Sequence, residues 1–117
     1  MVGFPKQGLV LSLAAAGPRL LTPSAVQGLV ARLGLRPSKR LGQNFVVDPS
    51  AIRRIAAAAR LAPGERVVEV GPGLGSLTLG LLEAGARVLA IEVDPALAAA
   101  LPATVAEFAA PSQLPDA

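Results

Sequence analysis

Glu69-Val70-Gly71-Pro72-Gly73-Leu74-Gly75, with Glu92 following 21 positions after Gly71, is the stretch that decides how this chain is read. The apolar run Val67-Val68-Glu69-Val70 suits a strand buried on both faces of a parallel sheet. Gly71, Gly73 and Gly75 allow a tight turn and let bare backbone N–H groups come close to a ligand. Leu74, Leu77, Leu81 and Leu82 share one face of the helix expected next, and Gly85 ends it. Arg87-Val88-Leu89-Ala90-Ile91 reads as a second strand, which leaves Glu92 at its carboxyl end. In such a strand–turn–helix–strand unit the terminal carboxylate accepts hydrogen bonds from both ribose hydroxyls of an adenosine. The unit is therefore a candidate nucleoside-binding crevice in an α/β sheet.

The glycine spacing narrows the ligand. A dinucleotide fingerprint, G-x-G-x-x-G, needs glycine at position 76; this chain has Ser76, and its third glycine comes one place earlier at Gly75. A G-x-G-x-G spacing preceded by an acid, here Glu69, resembles the first motif of S-adenosylmethionine-dependent methyltransferases. That ligand has an adenosine, a sulfonium cation and an amino-acid tail, but no pyrophosphate to seat on a helix N-terminus. Glycine-rich turns after strands are common in purely structural roles, so the spacing alone is weak. Glu92 at the matching distance is what favours nucleoside binding.

Composition sets the limits. The 117 residues make room for one small domain. The chain has no cysteine and no histidine, which excludes disulfides, the familiar Cys/His metal sites and catalysis by either residue. The net charge of +3 is unevenly spread. Residues 1–47 carry Lys6, Arg19, Arg32, Arg36, Lys39 and Arg40 without a single acid, and every carboxylate side chain lies from Asp48 onward. Lys6 followed by Leu9-Val10-Leu11-Ser12-Leu13-Ala14-Ala15-Ala16 imitates a short signal peptide, yet the run is too short to span a bilayer. The basic, cysteine-free, nucleotide-binding pattern behind it argues against export and for a cytoplasmic protein away from membranes. Residues 1–21 are expected to be a weakly ordered extension.

From Thr22 the signals become regular. Thr22 caps a helix with Pro23 in its first turn, Val26, Leu29, Val30 and Leu33 on one face, and Gly34 closing it. A linker through Arg36-Pro37-Ser38-Lys39-Arg40 leads into Leu41-Gly42-Gln43-Asn44-Phe45-Val46-Val47. Asp48 and Pro49 start a second helix that buries Ile52, Ile55, Ala56 and Ala59, and Ala62-Pro63-Gly64 stops it. Asp94 and Pro95 start another helix after the second strand, with Pro102 expected to bend or end it.

Lys39-Arg40-Leu41-Gly42-Gln43-Asn44-Phe45, at its spacing from Glu69-Val70-Gly71-Pro72-Gly73-Leu74-Gly75, resembles the ribosomal RNA adenine N6-dimethyltransferases, in particular the small-subunit type that acts on two adjacent adenosines near the 3′ end of 16S rRNA. The resemblance covers about Thr22 to Leu101. It implies a Rossmann-like class I methyltransferase fold, truncated after the second strand and the helix behind it, with residues 22–117 as the first portion of the cofactor domain. It also implies S-adenosyl-L-methionine as cofactor, 16S rRNA in the small ribosomal subunit or its precursor as partner, and a monomer at full length. By the same resemblance Gln43, Asn44 and the backbone at Val46 contact the cofactor, Gly71 and Gly73 lie under its methionine part, and Glu92 takes the ribose. Read on their own, Gln43 and Asn44 are ordinary turn residues and Phe45 a core anchor.

The basic residues have two readings. Arg36, Lys39 and Arg40 flank the expected cofactor loop and are candidates for RNA phosphates; Arg53, Arg54 and Arg60 on or beside the second helix fit a solvated face equally well. The catalytic group is missing. Adenine N6 is a poor nucleophile that must be held in line with the sulfonium methyl, with its amino group hydrogen-bonded. Related enzymes use an Asn-Leu-Pro-aromatic motif, for which Gln113-Leu114-Pro115-Asp116 is no substitute, so no catalytic residue is assigned. The third strand and a C-terminal helical domain are absent as well. The chain is thus expected to be an inactive N-terminal fragment with an exposed apolar edge at residues 67–70 and a tendency to aggregate. The alternatives are a 23S rRNA methyltransferase of the macrolide-resistance type, a non-catalytic RNA-binding remnant, and a nicotinamide-dependent oxidoreductase, which Ser76 disfavours.

Overall fold

A computed structural model describes residues 2–4, 8–15, 17–35 and 48–109. Strands β1 (Val2–Phe4) and β2 (Gly8–Leu13) precede helices α1 (Pro23–Leu33) and α2 (Pro49–Ala58). Then come β3 (Arg66–Val70), α3 (Ser76–Glu83), β4 (Arg87–Glu92) and α4 (Pro95–Glu107). The four strands form one mixed sheet in the order β1-β2-β4-β3. β3 and β4 run parallel, with Val67 beside Val88 and Glu69 beside Ala90. β2 lies antiparallel along the other side of β4, with Leu11 beside Ala90 and Leu13 beside Val88.

The helix starts follow the side-chain chemistry read from the sequence. The Thr22 hydroxyl accepts the Ala25 N–H at 3.2 Å, the Asp48 carboxylate that of Ser50 at 2.9 Å, and Asp94 those of Ala96 and Leu97 at 2.9 and 3.2 Å. Each cap is followed by proline at the first or second helical position, where no N–H is missed. Gly34 closes α1 at φ 64°, in the left-handed region that glycine reaches without strain.

Three expectations need correction. First, of the two outcomes expected at Pro102, a bend or an end, the end does not occur: α4 runs on to Glu107. A helix-interior proline costs about 3 kcal/mol; here Leu101, Thr104, Val105 and Phe108 are all buried beyond or beside it, and that burial holds the helix together. Second, Gly8–Leu13 lies in the region expected to be a weakly ordered extension, yet it is a strand of the sheet. Leu11, Leu20 and Leu21 are buried in the core, and the Arg19 N–H donates to the Phe108 carbonyl at 2.7 Å. The apolar run that imitates a signal peptide is a strand because its period of two puts Leu11 and Leu13 on one face.

Third, β3 is covered on one face only. α4 lies over β2 and β4 and α3 over β4, while α2 packs against α3. On that side Leu11, Leu13, Glu69, Val88, Ala90 and Glu92 are buried. On the other, Val68 is 61% and Val70 76% exposed, with Leu89 beside them. The apolar edge expected at residues 67–70 is therefore present, and the residue that β3 buries most deeply is its acid, Glu69. Along α2 the buried stripe is likewise narrower than expected: Ile52 and Ala56 are buried, whereas Ile55 and Ala59 are exposed.

Candidate cofactor-binding site

The candidate site lies where β3 and β4 end together. The chain leaves β3 through Gly71, Gly73 and Gly75 at φ 74°, 59° and 100°, three left-handed residues that carry it from strand to helix within one bend. Gly75 is also a close approach: a Cβ there would meet Leu101 Cδ1 at 2.8 Å. Beside Gly71, by contrast, the space where a Cβ would stand is open.

Glu92 fastens the bend. Its Oε1 accepts the Gly73 N–H at 3.0 Å and its Oε2 the Asp94 N–H at 2.9 Å, so one buried carboxylate joins the glycine turn to the start of α4. The expected bare donors are otherwise engaged: Gly71 N–H donates to the Ile91 carbonyl at 2.8 Å and Gly75 N–H to the Pro72 carbonyl at 3.0 Å. The turn is held rigid by its own N–H groups. The donors left for a ligand come from α3, whose N-cap, Gly75, offers no side-chain cap to its first turn. Each Glu92 oxygen keeps a second lone pair for a hydroxyl.

A second tie lies beneath the turn. The fully buried Thr78 hydroxyl donates to Glu69 Oε1 at 2.6 Å, linking the end of β3 to the first turn of α3. Burial raises the Glu69 carboxyl above its ordinary value; the Thr78 hydrogen bond opposes that rise and the charge of Glu92 adds to it. Glu69 and Glu92, at the ends of neighbouring strands, are thus close enough for the charge of one to raise the carboxyl of the other. Ser76 Oγ, at the first position of α3, is buried without a hydrogen-bond partner among the described residues. Thr78 did not stand out in the sequence, and Ser76 did so only as the residue that breaks the dinucleotide spacing, since a hydroxyl on a helix gives no sign of what it faces.

The family model for ribosomal RNA adenine dimethylases matches residues 34–113. The chain belongs to that family. Among relatives of the dimethylase family, the ribosomal RNA small subunit methyltransferase A of Thermobifida fusca is 60% identical over 95 residues, covering 81% of this chain and 33% of that protein. The protein of the same name from Kineococcus radiotolerans is 63% identical over 87 residues, 74% of this chain and 29% of its own length. That from Leifsonia xyli is 60% identical over 91 residues, 78% and 32% respectively. The chain therefore spans about a third of the length of the curated relatives it matches.

Of the residues named from the sequence, the structure brings Gly71, Gly73 and Glu92 together at the carboxyl ends of β3 and β4. Gln43, Asn44, Val46, Arg36, Lys39 and Arg40 lie outside the described residues. Among the described residues no group of acids forms a metal site, and no helix is long and apolar enough to cross a membrane.

Proposed function

We propose that this chain carries the cofactor-binding portion of an S-adenosylmethionine-dependent enzyme that dimethylates N6 of two adjacent adenosines near the 3′ end of 16S rRNA. The observation that carries this reading is the Glu92 bridge: the carboxylate at the end of β4 is bonded to Gly73, which ties the expected ribose acceptor to the glycine bend. S-adenosylmethionine supplies a methyl group on a sulfonium centre. In this reading Glu92 accepts the ribose hydroxyls with its free lone pairs, the open backbone at Gly71 admits the methionine part, and the Glu69–Glu92 pair favours the positive sulfur. Gln43, Asn44 and the Val46 backbone close over the ligand, and Arg36, Lys39 and Arg40 hold RNA phosphates. The name shared by the relatives, ribosomal RNA small subunit methyltransferase A, favours the small-subunit substrate over the 23S alternative.

The domain is a class I methyltransferase fold represented by its first two parallel strands, and it works in the cytoplasm as a monomer at full length. With no Asn-Leu-Pro-aromatic motif to orient adenine N6, these 117 residues bind cofactor but do not transfer methyl groups. Isothermal calorimetry separates the possibilities: S-adenosylmethionine gives saturable heat, Glu92→Ala abolishes it, and NADH gives none. Saturation with NADH and silence with S-adenosylmethionine overturns the reading. Labelled methyl incorporation into unmethylated 30S subunits above background overturns the inactivity.

A further inference from the structure

Seven arginines lie among the described residues, and three are engaged. Arg19 sits 4.9 Å from the Phe108 ring centre and donates to the Glu107 carbonyl at 2.9 Å. Arg32 lies 3.6 Å from the Glu107 carboxylate, and Arg53 forks onto Glu83 with hydrogen bonds of 3.1 and 3.0 Å. Arg54, Arg60, Arg66 and Arg87 have neither an ion pair nor a side-chain hydrogen bond among the described residues.

Arg66 and Arg87 are moreover direct cross-strand partners: each opens its strand, they are in register on adjacent parallel strands, and both are exposed on the bare face of the sheet. Adjacent strands lie about 4.8 Å apart, and like charges directly opposite each other cost stability. No carboxylate among the described residues offsets that repulsion. The neighbouring Glu65 carboxylate is turned away to accept the Ala62 N–H at 2.9 Å. Arg60, in the turn that closes α2, is exposed as well. Two guanidinium forks held side by side on rigid strands match a phosphate, whose oxygens accept from both and remove the repulsion.

We propose that Arg66 and Arg87 form an RNA phosphate-binding pair at the amino-terminal end of the sheet, on the far side from the cofactor crevice. At about 3.3 Å rise per residue, Arg66 lies roughly 16 Å along the strand from Gly71. A structured RNA whose target base enters the crevice crosses this end with its backbone. The inference rests on the RNA-substrate reading, and it adds an anchor that fixes the RNA's direction across the sheet.

The test is fluorescence anisotropy of the full 117-residue chain with a labelled RNA hairpin over a range of salt concentrations. The double variant Arg66→Gln/Arg87→Gln weakens binding and makes log affinity against log salt shallower by about 2, one for each arginine that no longer neutralises a phosphate. Arg32→Gln, which removes a cation already paired with Glu107, leaves the slope unchanged. A circular dichroism melt establishes that the double variant folds, and removing one repulsive pair leaves it at least as stable as wild type. Wild-type binding with an unaltered slope in the double variant overturns this inference alone. No RNA binding by wild type overturns it together with the RNA-substrate reading, and cofactor heat in calorimetry then shows whether the crevice survives. An equal loss of binding to phosphatidylserine vesicles also overturns it, because the pair is then a general anion surface.

Discussion

Replacing Gly80 with alanine sets two known effects against each other. Gly80 lies inside α3 on its buried side, and a Cβ added there collides with Cγ2 of Ile52 on α2. Ile52 is itself 2% exposed, and that methyl sits on a branched Cβ with no room to swing aside. Helix propensity favours alanine over glycine by about 1 kcal/mol. Overpacking a filled core costs about 1–3 kcal/mol. Gly80→Ala is therefore destabilising by about 1 kcal/mol in the natural background. In an Ile52→Ala background, already weakened by about 2–5 kcal/mol, the obstructing methyl is gone and only the propensity gain remains. There Gly80→Ala stabilises by about 1 kcal/mol, so the substitution changes sign. Equilibrium urea unfolding followed by circular dichroism, run on all four proteins, measures the cycle. If Gly80→Ala stabilises the natural chain, or destabilises both backgrounds equally, then close approach of α2 and α3 is not why glycine stands at position 80.

Two further predictions concern the acids and the N-terminal strand. Glu69 has a raised carboxyl, so the folded state holds its proton more tightly than the unfolded chain does. Its contribution to stability is full below the unfolded value and is lost as pH rises through the folded one. Glu69→Gln keeps an acceptor for Thr78 without the charge; thermal melts across pH should show the variant more stable at neutral pH, with the gap closing in acid, and a pH-independent difference would contradict the buried-carboxyl account. Leu11→Asp places a charge on the 1%-exposed face of β2 against α4. It should lower the melting temperature and speed hydrogen exchange of the β4 amides, whereas an unchanged exchange pattern would show that β2 is not part of the sheet.

The sequence by itself determined what depends on neighbours along the chain. Thr22, Asp48 and Asp94 start helices because a short oxygen-bearing side chain reaches N–H groups two or three residues ahead, whatever the rest of the molecule does. The glycine bend was legible for the same reason, since only glycine passes cheaply through three left-handed positions in five residues. Glu92 was placed by counting, because a helix and its turns use up a predictable length of chain before the next strand ends.

What the tertiary structure alone decided depends on residues far apart. No local signal says that Leu11 and Leu13 find β4 nearly eighty residues later, since an alternating apolar run has the same look in a leader, a strand or a loop. Pro102 is tolerated because distant core residues hold both halves of α4, an energy absent from the proline's own surroundings. The apolar residues of β3 were expected on two buried faces, yet covering each face takes separate helices, and α3 and α4 both lie on the same one. The Thr78–Glu69 tie, the burial of the Ser76 hydroxyl and the Arg66–Arg87 pair exist only once strand register and helix rotation are fixed. Burial and pairing are properties of the assembled sheet, and no residue carries them alone.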